Sequence, residues 1–412
     1  MAADELTAIV AGGGIAGLAA AVALGQAGWR VTVLERAAGF GEVGAGLGLT
    51  ANGMAAAEAL GLGDAVRAAG HRTVTAGFQD TKGRWVMHVP VPPDGRDTVT
   101  TIWGQHRQRL HAVLLQAATA DAGIELVTGA EVASVRPGTP AGDRAEISWR
   151  STEPAQTAPA AQTAPAAQAT HTARADLVVA ADGVRSAVRT QLFPAVQPVY
   201  GGSTSWRAVI PEPAAADQFT AVWGPAAEFG ALPLSDHETY WYGYFRHPAG
   251  AVFPDELAAA RDRFAGWPSW VQDLLAATLA GQLIRNDVYH LPHGPASYTA
   301  GRVVLIGDAA HACLPTVGQG AATALEDAVC VGRMIGARVQ AGAALGPALA
   351  AFDQARRRRG QRTVRSAIAM ARIGADLGPG WRQTARNTAL RLAPAGLMVR
   401  FGSSVTRWTP PA

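Results

Sequence analysis

The sequence predicts an α/β protein in which a Rossmann-like nucleotide-binding domain is interrupted by a β-sheet domain and followed by C-terminal helices. Three observations predict it. Residues 7–35 read strand, glycine turn, helix, strand; residues 203–246 read as strand after strand; and an apolar strand at 303–306 resumes the first pattern ahead of a mainly helical stretch, 345–401.

The elements follow in order. Residues 7–11 are apolar, 16–27 are helix-forming and 30–34 are rich in β-branched side chains, which makes a βαβ unit. A helix is expected over 55–69, and two strands between 72 and 88 around the turn Asp80-Thr81-Lys82-Gly83. Leu110, Leu114 and Leu115 give helical spacing over 107–122, and strands are expected at 125–128, 131–136, 145–150 and 177–180. Residues 153–169 repeat Pro, Ala, Gln and Thr with too little bulky apolar surface to offset folding entropy, so this tract is expected to be a disordered surface loop. Another strand is expected at 284–291, and a long helix at 320–338. The expected division assigns 1–72, 98–197 and 293–360 to the nucleotide domain, 73–97 and 198–292 to the inserted domain, and 361–412 to a helical region.

Composition bounds the partners. With 412 residues and 49% hydrophobic side chains the chain can bury a large core, and a formal charge of +3 with no basic stripe beyond Arg356–Arg359 argues against nucleic acid. Cys313 and Cys330 form no CxxC pair, the N-terminal stretch lacks the features of a signal peptide, and no apolar run reaches membrane-spanning length. A cytoplasmic protein with no membrane partner and no metal site is expected, its oligomeric state left open.

The first chemical motif is Gly12-Gly13-Gly14-Ile15-Ala16-Gly17, a G-x-G-x-x-G between strand and helix, with Glu35 ending the next strand. Gly12 allows the tight turn, Gly14 lets the backbone approach a pyrophosphate, and Gly17 lets the helix pack closely. The helix N-terminus offers free N–H groups to phosphates, and Glu35 would accept from ribose hydroxyls. This fingerprint alone separates neither NAD from FAD. A second motif, Gly307-Asp308-Ala309-Ala310-His311 with Pro315, Gly318, Gln319 and Gly320, again lies between strand and helix, and a third runs Ala181-Asp182-Gly183-Val184-Arg185-Ser186-Ala187-Val188-Arg189.

Taken together, the three motifs resemble those of the class A FAD-dependent aromatic hydroxylases, which share the p-hydroxybenzoate hydroxylase fold. The resemblance spans about residues 7–360 and is strongest to the group of salicylate, 6-hydroxynicotinate, 3-hydroxybenzoate and urate hydroxylases and zeaxanthin epoxidase. It implies non-covalent FAD, with NADPH or NADH and O2 as co-substrates, and hydroxylation of a small, mostly aromatic substrate through a flavin C4a-hydroperoxide. Epoxidation, or a flavin reductase or dehydrogenase without oxygen insertion, stays open beside it. By resemblance Asp308 bonds a ribityl hydroxyl, Pro315 and Gly318, Gln319, Gly320 and Ala321 line the isoalloxazine, and Asp182 with Arg189 orders the pyrophosphate region and helps nicotinamide binding. Arg107 matches an Arg-x-x-Leu that reaches the cofactor's phosphates or ribityl chain. Arg36 and Val132 flank the adenine, and Gly46 lies in a Gly-Ala-Gly stretch near the flavin. His311 is expected to be structural. No second glycine fingerprint is present, so the reduced nicotinamide is expected to bind transiently in a groove.

The substrate side is less marked. Along 239–246 the side chains alternate, which puts Tyr240, Tyr242 and Tyr244 on one face, with Trp206 and Trp223 as candidates to extend an aromatic wall. Tyr240, Tyr242, Tyr244, His247 and His290 are candidate bases, and Arg207 a candidate anchor for a carboxylate or phenolate. A flavin halogenase is disfavoured because its Trp-x-Trp-x-Ile-Pro stretch is absent. A binding module without catalysis would rest only on the helical C-terminus and Arg356–Arg359, which equally read as a solvated helix face.

Overall fold

A four-residue apolar run such as 177–180, buried at every position, must be a strand covered on both faces, and it lies inside a parallel sheet. The structure is a computed structural model that describes residues 5–41, 44–89, 98, 100–152, 169–213, 217–393 and 405–412. It begins with β1 (Thr7–Ala11), α1 (Ile15–Gln26), β2 (Arg30–Leu34), β3 (Gly46–Leu49), α2 (Ala51–Ala59), α3 (Gly63–Ala68), β4 (Gly70–Asp80) and β5 (Trp85–His88). Next come β6 (Thr101–His106), α4 (Arg107–Ala120), β7 (Ile124–Val127), β8 (Ala130–Arg136), β9 (Ala145–Ser151), β10 (Thr170–Ala175), β11 (Leu177–Ala180) and α5 (Ala187–Leu192). The aromatic stretch forms β12 (Val199–Ile210), β13 (Gln218–Gly224), β14 (Ala227–Ser235) and β15 (Glu238–Arg246), then α6 (Glu256–Arg263), α7 (Ser269–Ala277) and β16 (Ile284–His290). β17 (Thr299–Ala300), β18 (Val303–Leu305), α8 (Asp308–His311), α9 (Gly320–Cys330), α10 (Arg338–Gln340), α11 (Leu345–Ile373) and α12 (Trp381–Leu392) follow.

Two large sheets organise these elements. The first has the order β17-β18-β11-β1-β2-β7, parallel except for the edge pair β17–β18, with α1 buried against it. The second has the order β16-β12-β15-β14-β13-β4-β6-β3, with β5 on β4. β3 and β6, which the expected division assigns to the nucleotide domain, pair with each other and join the second sheet through β4. A smaller sheet, β10-β9-β8, holds the ends of the low-complexity tract together: Ser151 N donates to Ala169 O at 3.0 Å beside the β9–β10 ladder. Residues 153–168 of that tract lie outside the described residues.

Several expectations are corrected. The helix expected over 55–69 is two helices, because the chain turns at Gly61 with φ +73°, a left-handed conformation that favours glycine. The helix expected over 320–338 is α-helical only to Cys330 and widens into a π turn over Val331–Ala337. α6 and α7, which the strand-rich reading did not foresee, cover one face of the second sheet, burying Trp206, Phe229, Trp241 and Phe245 against Phe264, Trp267 and Val271.

Candidate functional site

The glycine turn between β1 and α1 has the geometry its residue types require. Gly12 has φ +105°, and a Cβ there would lie 2.5 Å from Ala181 O, so the turn is pressed against the end of β11. A Cβ on Gly17 would lie 1.8 Å from Gly12 O, which leaves only glycine where α1 crosses the turn. Gly14 caps α1 without a side-chain hydrogen bond, so the first amides of Ile15, Ala16 and Gly17 form an open helix end. The Glu35 carboxylate accepts from Gly13 N at 2.8 Å and Ala37 N at 2.9 Å, and His111 of α4, which sequence reasoning missed, bonds Gly13 O at 2.8 Å. Arg36 is exposed beside them, and Val132 of β8 lies nearby, since Ala130 N donates to Glu35 O at 2.8 Å.

Three further segments converge on this end of the sheet. Arg107 opens α4, and its N–H donates to Ala45 O at 2.9 Å, which ties it to the strand that carries Gly46. In the loop after β11, Asp182 accepts from Val188 N at 3.1 Å while its Oδ1 is buried with no partner. Burial raises its pKa, partly opposed by Ser186 and nearby amides. Arg189 is fully buried and donates to the carbonyls of Val184, Val196 and Ala309, so it staples this loop to the one after β18.

The loop after β18 is held from below by buried charge. Gly307 has φ +56°, and its N–H donates to Asp327 Oδ2 at 2.8 Å, which leaves the neighbouring Asp308 side chain exposed. His311 Nε2 meets the same oxygen at 2.6 Å, and Arg356 Nε donates to Oδ1 at 2.6 Å. Arg356 also pairs with Glu326 at 2.8 Å, and Arg359 reaches Glu326 at 2.7 Å. Burial works against each charge. The His311 and Arg356 cations nonetheless hold Asp327 down at about 2, and the Asp327 carboxylate raises His311. Arg356 is 2% exposed and Arg359 reaches Glu326, while Arg358 stays exposed, so the run Arg356–Arg359 is only in part the solvated face its composition suggests.

At the start of α9, Gln319 is buried, accepts from Asn52 at 2.9 Å and donates to Thr50 at 2.9 Å. Pro315, Gly318, Gly320 and Ala321 remain at least partly open, and a Cβ on Gly318 or Gly320 would meet nothing within 4 Å. An open helix end at α1, a second at α9, the partnerless Asp182 oxygen and the exposed Asp308 carboxylate suit a dinucleotide with a long polar middle, as FAD is.

Beside this cradle lies the face of the second sheet opposite the one that α6 and α7 cover. Register puts Arg207, Tyr242 and Gly230 in one row and Val209, Tyr240 and Leu232 in the next, so this part of the face is aromatic with the Arg207 guanidinium among the rings. Arg207 bonds Asn286 and keeps its Nε buried without a partner. Tyr240 packs on Gly46, where a Cβ would lie 2.1 Å from its ring. Trp223 shares this face, whereas Trp206 opposes Gly243 and points into the helix-covered side, so it cannot belong to the wall. His290 stands at the far end of β16, with its Nδ1 partnerless, near Gly201 and Leu314 and away from the tyrosines. The C-terminal helices roof the other end: Gly374 lies against Trp223, and the Arg386 guanidinium sits 5.0 Å over the Trp223 ring.

The electrostatics redistribute the candidate bases. Burial pushes Tyr240 up to about 12 and also raises Tyr242 and Tyr244, so these phenols stay protonated; Tyr242 donates to Glu228, whereas the Tyr244 hydroxyl is buried without a partner. Burial lowers His290. Sequence reasoning missed Glu228, 5% exposed on β14, which accepts from Tyr242 Oη at 2.5 Å and from Trp223 Nε1 at 2.8 Å. Burial raises its pKa despite those bonds.

The arrangement has close counterparts. Residues 5–367 match the family model described as FAD binding domain. The chain is 34% identical to aurachin C monooxygenase/isomerase of Stigmatella aurantiaca, covering 90% of both chains. It is 30% identical to 2-heptyl-3-hydroxy-4(1H)-quinolone synthase of Pseudomonas aeruginosa, covering 94% of both. Among solved structures it resembles Klebsiella pneumoniae HpxO complexed with FAD and uric acid, with a TM-score of 0.80 at 24% identity, over 97% of this chain and 96% of that one.

Proposed function

Because the chain belongs to the FAD binding domain family, as a class A flavin-dependent aromatic monooxygenase, we propose that it hydroxylates a 4(1H)-quinolone carrying an apolar tail, at the ring carbon next to the carbonyl. The observation that carries this reading is the substrate face itself: neutral tyrosines, the Arg207 guanidinium among them, and apolar Val209 and Leu232 alongside. Such a face suits a flat uncharged ring with one carbonyl better than a dianionic acid, which would need more positive charge. The relative from Pseudomonas aeruginosa is named for a 3-hydroxylated quinolone with a heptyl tail, and its similarity runs through nearly the whole chain.

FAD, when bound, supplies the oxygen-activating redox chemistry, with a reduced nicotinamide as electron donor and O2 as oxidant. The protein's residues hold and orient. Glu35 and the α1 amides secure the adenosine end, Asp308 the ribityl chain, and the open α9 end stabilises negative charge on the ring system. Arg207 anchors the substrate carbonyl, and the roof of Gly374 and Arg386 excludes water from the reacting carbon. Arg36, Val132 and Arg107 flank the cofactor's adenine and phosphates. The reaction would run in the cytoplasm, which suits the two free cysteines.

The test is a screen for stimulated NADH and NADPH oxidation by 2-heptyl-4(1H)-quinolone, salicylate, 6-hydroxynicotinate, 3-hydroxybenzoate and urate, with product mass under 18O2. A gain of one labelled oxygen on the quinolone is expected. Stimulation without an oxygenated product would instead identify a reductase.

A further inference from the structure

Building on the quinolone reading, we propose that Tyr242 and Glu228 are the proton acceptor of the substrate face: Tyr242 Oη takes the ring N–H proton while its own proton passes to Glu228.

The geometry carries this assignment. Tyr242 opposes Gly230, and a Cβ there would lie 2.4 Å from the Tyr242 ring, so the phenol can lie flat along β14 and reach Glu228 one row further on. Glu228 makes no ion pair among the described residues; its oxygens rest on two neutral donors, Tyr242 and Trp223. That sets it apart from the other carboxylates less than a tenth exposed among the described residues, Asp80, Asp176, Glu326 and Asp327, which are each matched by arginine. Burying a carboxylate on neutral donors alone costs free energy that an amide would not, and such groups concentrate where a proton must be received. Arg386, over Trp223, is the nearest cationic influence and moderates that cost without closing an ion pair.

The chemistry needs such a group. In a 4(1H)-quinolone the ring nitrogen's electron pair reaches the carbon beside the carbonyl, and loss of the N–H proton strengthens that carbon as a nucleophile. The new C–O bond forms with an oxygen atom from O2, whose other atom leaves as water at the expense of the reduced nicotinamide. The N–H proton waits on Glu228 while the C–O bond forms; the carbon's own proton then leaves as conjugation is restored, and the Glu228 proton returns through Tyr242 to the ring nitrogen, so that product and carboxylate are both reset. Tyr242 is neutral before and after; it passes a proton and never stores charge.

The experiment compares wild type, Glu228→Gln and Tyr242→Phe on 2-heptyl-4(1H)-quinolone and its N-methyl analogue. On the N–H substrate both variants should lose about a hundred-fold in kcat with KM within about three-fold. Their residual rate should climb with pH as hydroxide replaces the lost acceptor. On the N-methyl analogue, which has no proton to give, all three proteins should be equally slow. Wild-type rates in the variants, or the same loss on both compounds, would overturn the assignment. If the quinolone is inert and salicylate active, the quinolone reading falls, and salicylate with 2-methoxybenzoate carries the same comparison. FAD-loaded wild type inert on every ring would sink both. If Glu228→Gln is recovered without FAD, Tyr242→Phe, which removes a single oxygen, decides.

Discussion

Asp327→Asn probes the buried ionic cluster under the loop that presents Asp308. Asp327 accepts from Gly307 N at 2.8 Å, His311 Nε2 at 2.6 Å and Arg356 Nε at 2.6 Å, all out of contact with water. An amide can keep one acceptor but presents N–H to a donor on its other side, so one cation is left without its counter-charge. Breaking a buried pair from one side costs about 3–5 kcal/mol, while replacing both partners with apolar groups is far less harmful. Urea unfolding followed by tryptophan fluorescence should therefore show a loss of about 3–5 kcal/mol for Asp327→Asn, and Asp327→Leu combined with Arg356→Met should lose clearly less than the two single changes summed. Flavin titration of the same proteins should show weakened FAD binding in the single variant, since Gly307 is then free to leave its left-handed conformation. The acid limb follows by linkage. Asp327 titrates at about 2 in the fold against 3.8 unfolded, so its contribution is whole above about pH 4 and is lost as pH falls toward 2. His311 is shifted upward from 6.5, so its contribution is whole below that value and is lost as pH rises through its folded pKa. A cost below about 1 kcal/mol together with unchanged FAD affinity would refute the view that this cluster shapes the site.

Other expected outcomes are direct. Asp308→Ala should raise the Kd for FAD by about 10- to 150-fold, the equivalent of 1.5–3 kcal/mol for a charge-assisted hydrogen bond, read from the recovery of free-flavin fluorescence. Gly17→Ala should give protein without FAD, because the added methyl would lie 1.8 Å from Gly12 O; normal flavin content would contradict the turn geometry. Deleting 153–168 and joining the ends with a short glycine linker should leave FAD affinity and turnover close to wild type, since the β9–β10 ladder fixes both ends. Turnover lost with FAD retained would give the tract a functional role.

The parts legible in sequence are those written in short-range patterns. The βαβ start, the hairpin around Asp80–Gly83 and the strands 124–136 follow from periodicity and turn residues a few positions apart. Strand order does not: β11 lies between β1 and β18 through contacts that span more than a hundred residues. Trp206 went to the wrong face because its side depends on which β15 residue it opposes, a register that no local pattern contains. The four arginines read as solvated on charge alone, yet Phe352, Arg356, Gly360 and Thr363 recur at helical spacing and all are buried, a signal available beforehand. α6 could also have been found, since Asp255 caps its first turn through Ala258 N. Glu228 had no such signal, because a lone acid in an apolar strand acquires meaning only when Tyr242 and Trp223 are folded against it.

The cluster that joins α9 to α11 also bears on how the protein is made. Glu326 and Asp327 are translated before Arg356 and Arg359, and buried acids without their arginines are too costly to be packed away. The nascent chain must therefore keep the segment around Gly307–Cys330 in water until the helix 345–373 has emerged from the ribosome. Flavin loading would wait for that moment, even though the glycine turn after β1 is synthesised long before the helix 345–373. A ribosome stalled before residue 356 would hold a chain whose early strands can pair but whose cofactor cradle has not closed.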